Sequence, residues 1–446
     1  MRRVVITGLG AVSPHGIKFS DLWQGLLEGR SSIAPLAQFD PSGFPSQVAG
    51  TVPAFKTTDY VPKSYRKATK IMARDIELAV VAADGAVRDA HLATRGIVEA
   101  SGGSAPGPDW HVVDPRRVGC NIGAGLICAD LNELGQALAQ ARNSDGTLSL
   151  ARWGKSEDPS KTSGMDNLTP LWLLKYLPNM LACHVSIIHD TQGPSNTITC
   201  EQASAGLALA EACRTIQRGQ ADIALIGGCE SMIHPMGLMR WSLLGRVNNT
   251  ANPAGACRPY DRRAAGTVVA EGGAVLVIEE LEHAQKRNAH IYCEIAGLAA
   301  ACSGRKINDP DPTGESAAFA IAKALRDAGV ASTEVQAIVP PGSSVPAHDQ
   351  SDVAAITRVF GKQADVLLVP ACGGLGDCSA GAQAIDLAAA AMALHEQKLW
   401  PVAGSDQPLA GVRMLATQQP MPLKNVLVLA SSLAGQHSAV VLRKWQ

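Results

Sequence analysis

Ten short segments rich in Val, Ile, Leu and Ala restrict this chain most. They fall at residues 4–7, 118–122, 197–199, 222–228 and 272–278, and again at 293–298, 337–339, 366–369, 425–429 and 439–442. Apolar runs this short, with β-branched residues, read as strands buried on both faces. Helical patterns lie between them, at 21–29, 207–218, 316–328, 351–360 and 380–397. Two runs of five strands with helices interleaved predict an α/β protein with an internal duplication, two layers stacked on each other. Aromatic residues are only 4% while Ala and Gly abound, so the layers should pack closely through small side chains.

The 446 residues allow two or three domains. Forty acidic residues against 39 basic ones give no field that would favour nucleic acid or an anionic membrane as partner. Eleven cysteines are scattered without a C-x-x-C pair or a Cys/His cluster. Neither a metal site nor a disulfide scaffold is expected, and reduced thiols suit a cytoplasmic protein. No run reaches the roughly 18 apolar residues of a membrane span. Residues 1–6 lead straight into a strand, so the expectation is a soluble, unprocessed chain.

The stretch from Gly193 to Gly206 carries the chemistry. Thr197, Ile198 and Thr199 favour a buried strand, and the Ala- and Leu-rich run 207–218 favours a helix stopped by Gly219. Gln202 sits at the break, over the helix N-terminus, where free N–H groups stabilise negative charge. An acyl-transfer enzyme would place its nucleophile there, but a neutral carboxamide cannot attack. Elsewhere, Gly8-Leu9-Gly10 follows a strand but lacks the third glycine and acidic residue of a dinucleotide loop. Asp21 and Gly29 read as the N-cap and stop of the first helix. Lys63, Arg66, Lys67, Lys70 and Arg74 recur at helical spacing, so one basic stripe is predicted, either a dock for an acidic partner or a solvated face. After Gly125, Leu131, Leu134 and Leu138 share a helical face that would be core, pocket lining or subunit contact.

These landmarks together resemble a known family. Residues 4–14, Leu26-Leu27-Glu28-Gly29-Arg30-Ser31, Gly193-Pro194-Ser195, Arg258-Pro259-Tyr260-Asp261, Glu271-Gly272-Gly273-Ala274 and His283-Ala284-Gln285-Lys286-Arg287 look like those of the β-ketoacyl-carrier-protein synthases, specifically the type II elongating synthases. The resemblance spans nearly the whole chain. It implies a thiolase fold of two duplicated α/β halves in five α-β-α-β-α layers, with halves at 1–285 and 286–446 and insertions near 101–116 and 143–168.

Members of that family use a Cys-His-His triad. The resemblance puts Gln202 at the nucleophile, with Cys200 two residues early. Pro341 stands for the first histidine, in Pro341-Gly342-Ser343-Ser344-Val345-Pro346. Asp377 stands for the second, where Cys372-Gly373-Gly374-Leu375-Gly376-Asp377 replaces Lys-Ser-x-x-Gly-His. The family's Gly-Phe-Gly-Gly loop is represented by Leu433-Ala434-Gly435-Gln436. Losing one oxyanion donor costs on the order of 3 kcal/mol, and a carboxylate at Asp377 would repel developing negative charge. No residue of this chain is therefore expected to be catalytic, and no cofactor is implied.

Glutamine at the nucleophile is familiar in chain-length factors, the ketosynthase β subunits of type II polyketide synthases. Such subunits pair with a catalytic ketosynthase. Resemblance to them implies a heterodimer, or a dimer of heterodimers. It also implies a tunnel or interface at Leu126, Leu131, Leu134, Leu138, Leu171 and Trp172, and carrier-protein docking at Lys63, Arg66, Lys67 and Lys70. Rival readings are a malonyl-carrier-protein decarboxylase using Gln202, a condensing enzyme using Cys200, and a homodimeric protein that binds acyl chains or carrier protein.

Overall fold

The computed structural model describes residues 2–156, 160, 162–361 and 366–446. Residues 157–159 and 161, within the second expected insertion, lie outside them. The ten predicted segments form one continuous ten-stranded sheet. In chain order the strands are β1 (Val4–Val12), β2 (Val118–Ala124), β3 (Ser195–Ile198), β4 (Ile223–Ser231), β5 (Glu271–Glu280), β6 (Cys293–Cys302), β7 (Ala337–Val339), β8 (Leu367–Leu368), β9 (Asn425–Ser431) and β10 (Gln436–Lys444). Across the sheet their order is β3-β2-β4-β5-β1 and then β6-β10-β9-β7-β8. The second half repeats the first with five added to every number, mirrored about the centre. The pairing sense repeats too. β2 runs parallel to β3 and β4 as β7 does to β8 and β9, and the remaining pairs are antiparallel. A short antiparallel seam, Val4–Ile6 against Cys293–Ile295, joins the halves.

Helices fill the layers around this sheet. α5 (Ser204–Gln217) and α9 (Ala382–Glu396) share one hydrophobic core with strands of both halves, including Val4, Ile226, Leu276, Val428 and Val440. α9 is buried on nearly every face, with Ala388, Ala389, Ala390 and Ala391 inaccessible to solvent, as a central helix must be. α2 (Arg74–Asp89) and α4 (Met180–His189) cover the outer face of the first half. α7 (Glu315–Ala328) and α8 (Pro346–Phe360) cover that of the second. The result is the five-layered thiolase fold.

Small side chains set the layer spacing. A Cβ on Gly10 would stand 2.0 Å from the carbonyl oxygen of Ala82 in α2. Gly10→Ala is accordingly expected to cost about 1–3 kcal/mol, readable as a lowered urea midpoint at unchanged slope. The same packing corrects the reading of Gly8-Leu9-Gly10 as the end of a strand. These glycines lie inside β1, which continues to Val12, and they admit the backbone of α2.

Three further local expectations change. α1 (Phe19–Leu27) starts one turn earlier than predicted. Lys18 occupies the N-cap and Asp21 sits inside, its carboxylate accepting the Lys18 N–H at 3.2 Å. Gly29, with φ +62°, does stop that helix. β3 is half-exposed rather than buried, because it lies at the sheet edge. The basic stripe is not an α-helical one: Lys63–Ile71 is a 3₁₀ segment. At three residues per turn, Lys63 and Arg66 share one row and Lys67 and Lys70 the next. Arg74 leaves the stripe and pairs with Glu271 at 2.9 Å.

Candidate functional site

β3 delivers the chain to Cys200, and a 3₁₀ turn, Glu201–Ala203, then feeds α5. Gly123 of β2 allows the close approach this needs, since a Cβ there would meet Ser204 at 2.7 Å. Glu201 is held at φ +49°, an uncommon conformation for a residue with a side chain, and the strain sits one position before Gln202. Gln202, 5% exposed, donates from Nε2 to Oδ2 of Asp377 at 2.9 Å. The other carboxylate oxygen accepts the Ser379 N–H at 2.8 Å. The two residues that the resemblance sets at the nucleophile and second-histidine positions thus bond to each other. Gln202 Oε1 is buried without a partner among the described residues.

The helix start is partly used up internally. Gln383 Oε1 takes the Gly206 N–H at 2.9 Å, and Ser204 Oγ takes the Cys200 N–H at 2.8 Å. Acidic groups crowd the rest. Burial, then the Glu230 carboxylate, pushes the Glu201 carboxyl up to about 7. Glu230 is itself raised by burial, although Oε2 accepts the Ala380 N–H at 3.0 Å. Balancing positive charge comes from Arg240 and from Arg246, which is 2% exposed. Its guanidinium bonds Asn308 at 3.1 Å and His348 at 2.8 Å, lies 4.7 Å from the Trp241 ring, and feels Asp377, Glu201 and Asp349.

Pro341 lies in the loop after β7, where the Tyr260 hydroxyl accepts the Gly342 N–H at 3.0 Å. The structure joins Gln202 to Asp377 but places no hydrogen bond between Pro341 and either. Residues Leu433 to Gln436 make a tight hairpin between β9 and β10, with Gly435 at φ +82° and Ser432 N–H bonded to the Gln436 carbonyl at 2.8 Å. Burial pushes the half-buried Cys200 thiol up, with Glu201 adding to it, the opposite of what an attacking thiol needs.

The leucine face is not core. In α3 (Leu131–Gln140), Leu131 is 44% and Leu138 38% exposed, and Leu126 and Leu171 are also exposed; Leu134 and Trp172 are half-buried. Glu133 fastens α3 to the following segment, accepting from Thr169 at 3.1 Å and Tyr176 at 2.5 Å and pairing with Lys175 at 2.8 Å. Lys63, Arg66, Lys67 and Lys70 are all exposed, and none pairs with an acidic side chain among the described residues. Asp75, Glu230 and Arg246 were missed by sequence reasoning. Only Glu271, inside a quoted landmark, carried a local signal.

The N-terminal domain model of the β-ketoacyl synthases matches residues 1–284, and their C-terminal domain model matches residues 292–406. The chain belongs to the β-ketoacyl synthase family. It is 33% identical to a 3-oxoacyl-[acyl-carrier-protein] synthase 2 of Coxiella burnetii, over 92% of this chain and 90% of that one. It is 32% identical to the tetracenomycin polyketide synthase ketoacyl synthase beta subunit of Streptomyces glaucescens, over 99% and 98%. Overall identity therefore does not separate the two kinds of relative. Among solved structures, a type II polyketide ketosynthase bound to a hexaketide and complexed with its acyl-carrier protein superimposes with a TM-score of 0.81, at 26% identity and full coverage of both chains. The ishigamide ketosynthase/chain length factor shares the fold, with a TM-score of 0.82 at 24% identity and full coverage of both chains. No helix among the described residues is long and apolar enough to cross a membrane.

Proposed function

We propose that this β-ketoacyl synthase homologue is a non-catalytic chain-length factor, which pairs with a catalytic ketosynthase and shapes the tunnel its product grows into. The buried bond between Gln202 and Asp377 carries the reading. A condensation needs a thiolate to hold the chain and donors to receive enolate charge. Here an amide and a carboxylate occupy those positions and satisfy one another. The exposed apolar residues Leu126, Leu131, Leu138 and Leu171 supply the second support, since an apolar face of this kind marks an interface. The unpaired basic rows at Lys63, Arg66, Lys67 and Lys70 suit an acidic carrier protein.

Co-expression with a type II ketosynthase tests this. The expected result is one-to-one recovery of the two chains, with no carbon dioxide released from malonyl-carrier protein by this chain alone. Recovery only as a stable homodimer would sink the proposal, as would release that Gln202→Ala abolishes. A second expectation concerns Cys200: iodoacetamide should alkylate it no faster than an ordinary cysteine, as read by peptide mass spectrometry.

A further inference from the structure

Three connections of the sheet meet beside the loop that carries Pro341. Cys257 lies in the connection from β4 to β5, Cys372 in the one from β8 to α9, and Gly342 to Ser344 in the one from β7 to α8. Cys372 also opens the turn that leads to Asp377, the partner of Gln202. Neither thiol has a part in the proposed function.

Sulfur links the three connections. Cys257 Sγ lies 3.2 Å from Ser344 Oγ and donates at 3.5 Å to the carbonyl oxygen of Cys372, 115 positions away in the chain. Cys372 Sγ donates to the carbonyl oxygen of Gly342, and a Cβ on Gly342 would stand 3.1 Å from that sulfur. The backbone there is fixed in an uncommon conformation, with Gly342 at φ +59° and Ser344 at φ +61°. The two thiols also touch. Contact with the Cys257 thiol, then burial, holds the Cys372 thiol well above the ordinary range, so it keeps its proton. With the Cys257 sulfur already against the backbone of Cys372, joining the sulfurs takes rotation of two short side chains.

We infer that Cys257 and Cys372 are a modification site, joined by hydrogen peroxide into a reversible disulfide that ties the turn carrying Asp377 to the connection between β4 and β5. Burial selects the oxidant: Cys257 is 1% exposed and Cys372 half-buried, which shuts out a bulky disulfide and admits a molecule close to water in size. The Cys257 sulfur attacks one peroxide oxygen and the O–O bond breaks. The departing hydroxide takes the Cys257 proton and leaves as water, and Cys257 becomes a sulfenic acid. The Cys372 sulfur then attacks the sulfenic sulfur, the S–O bond breaks, and the hydroxyl leaves with the Cys372 proton as a second water. Two thiols lose two electrons and one peroxide becomes two waters. Closure also removes the Cys372 bond to Gly342, so the loop after β7 loses a sulfur partner as the neighbouring turn gains a covalent one.

Peptide mapping tests this. The full chain would be treated with hydrogen peroxide, unfolded in N-ethylmaleimide and digested without reductant. The expected main product is one peptide pair joined through Cys257 and Cys372, which dithiothreitol separates into two alkylatable thiols. The urea midpoint of the oxidised chain should rise by about 0.5–1 M, because the bond closes a long loop. Cys257→Ser and Cys372→Ser should each lose both the joined peptides and the midpoint shift. Two free thiols after peroxide, pairing of either with another cysteine instead, or sulfinic acid at either without the joined pair would overturn the inference. That mapping needs only the native chain if a serine variant does not fold.

Discussion

Replacing Leu131 and Leu171 together by aspartate is expected to abolish recovery with a ketosynthase while leaving this chain folded. Both side chains are largely exposed in the isolated subunit, 44% and 65%, so the substitutions should change its own stability by no more than about 0.5 kcal/mol. In a large apolar interface the same carboxylates would be stripped of water without a partner, at several kcal/mol each. The expected fall in pairing affinity exceeds about a hundredfold, measured by pull-down or analytical ultracentrifugation at matched concentrations. Phe319→Asp supplies the control, because Phe319 is 56% exposed on α7, the outer layer of the other half. Undiminished pairing by the Leu131/Leu171 variant would remove the interface from the proposed function.

The second large effect is alkaline unfolding. Cys120, Cys213, Cys229 and Cys293 are inaccessible to solvent, and burial raises all four thiols, Cys120 to about 12. In the unfolded chain a thiol ionises near about 8.5. Above that pH the native state holds protons that the unfolded state has released, so stability must fall as pH rises. Each thiol contributes about 1.4 kcal/mol per pH unit, the four together about 5, and Cys372 and Cys378, also raised, steepen the fall further. Below about 6.5 the sum differs. Asp75, Asp349, Asp352 and Glu201, raised to about 7 or 8, make stability fall with pH from about 4 upward. His15, His189, His348 and His437, kept neutral by burial down to about 3 or 4, make it rise over nearly the same window. The two sets largely offset. With a typical native stability of about 5–15 kcal/mol, the chain should unfold near or a little above pH 10. Urea titrations between pH 8.5 and 10 give the slope. Cys213→Ala should reduce it by about 1.4 kcal/mol per pH unit whatever it does to neutral-pH stability, and a flat profile to pH 10 would refute the account.

The sequence reading was strongest where periodicity and composition decide the outcome. Nine of the ten strands were legible because a strand covered on both faces must be apolar throughout, β3 at the sheet edge was legible from its β-branched residues, and the mirrored order follows from the repeat. Gln202 at a strand-to-helix break was legible from Thr197, Ile198 and the Ala-rich run behind it. Less visible were features set by distant segments. Glu271 lies 197 positions from Arg74 and Asp377 lies 175 from Gln202, and no local pattern announces either bond. The leucine spacing of α3 fitted a core face equally well. Only the assembled layers show that Leu131 and Leu138 stay exposed among the described residues.

On the proposed function, the contact between Gln202 and Asp377 also acts as a ratchet. A lone Gln202→Cys reversion would set a thiol against a carboxylate, which disfavours the thiolate. A lone Asp377→His change would place a base beside an amide with no proton worth removing. On that reading neither step alone moves toward a working condensation site, so single-residue reversion offers no road back.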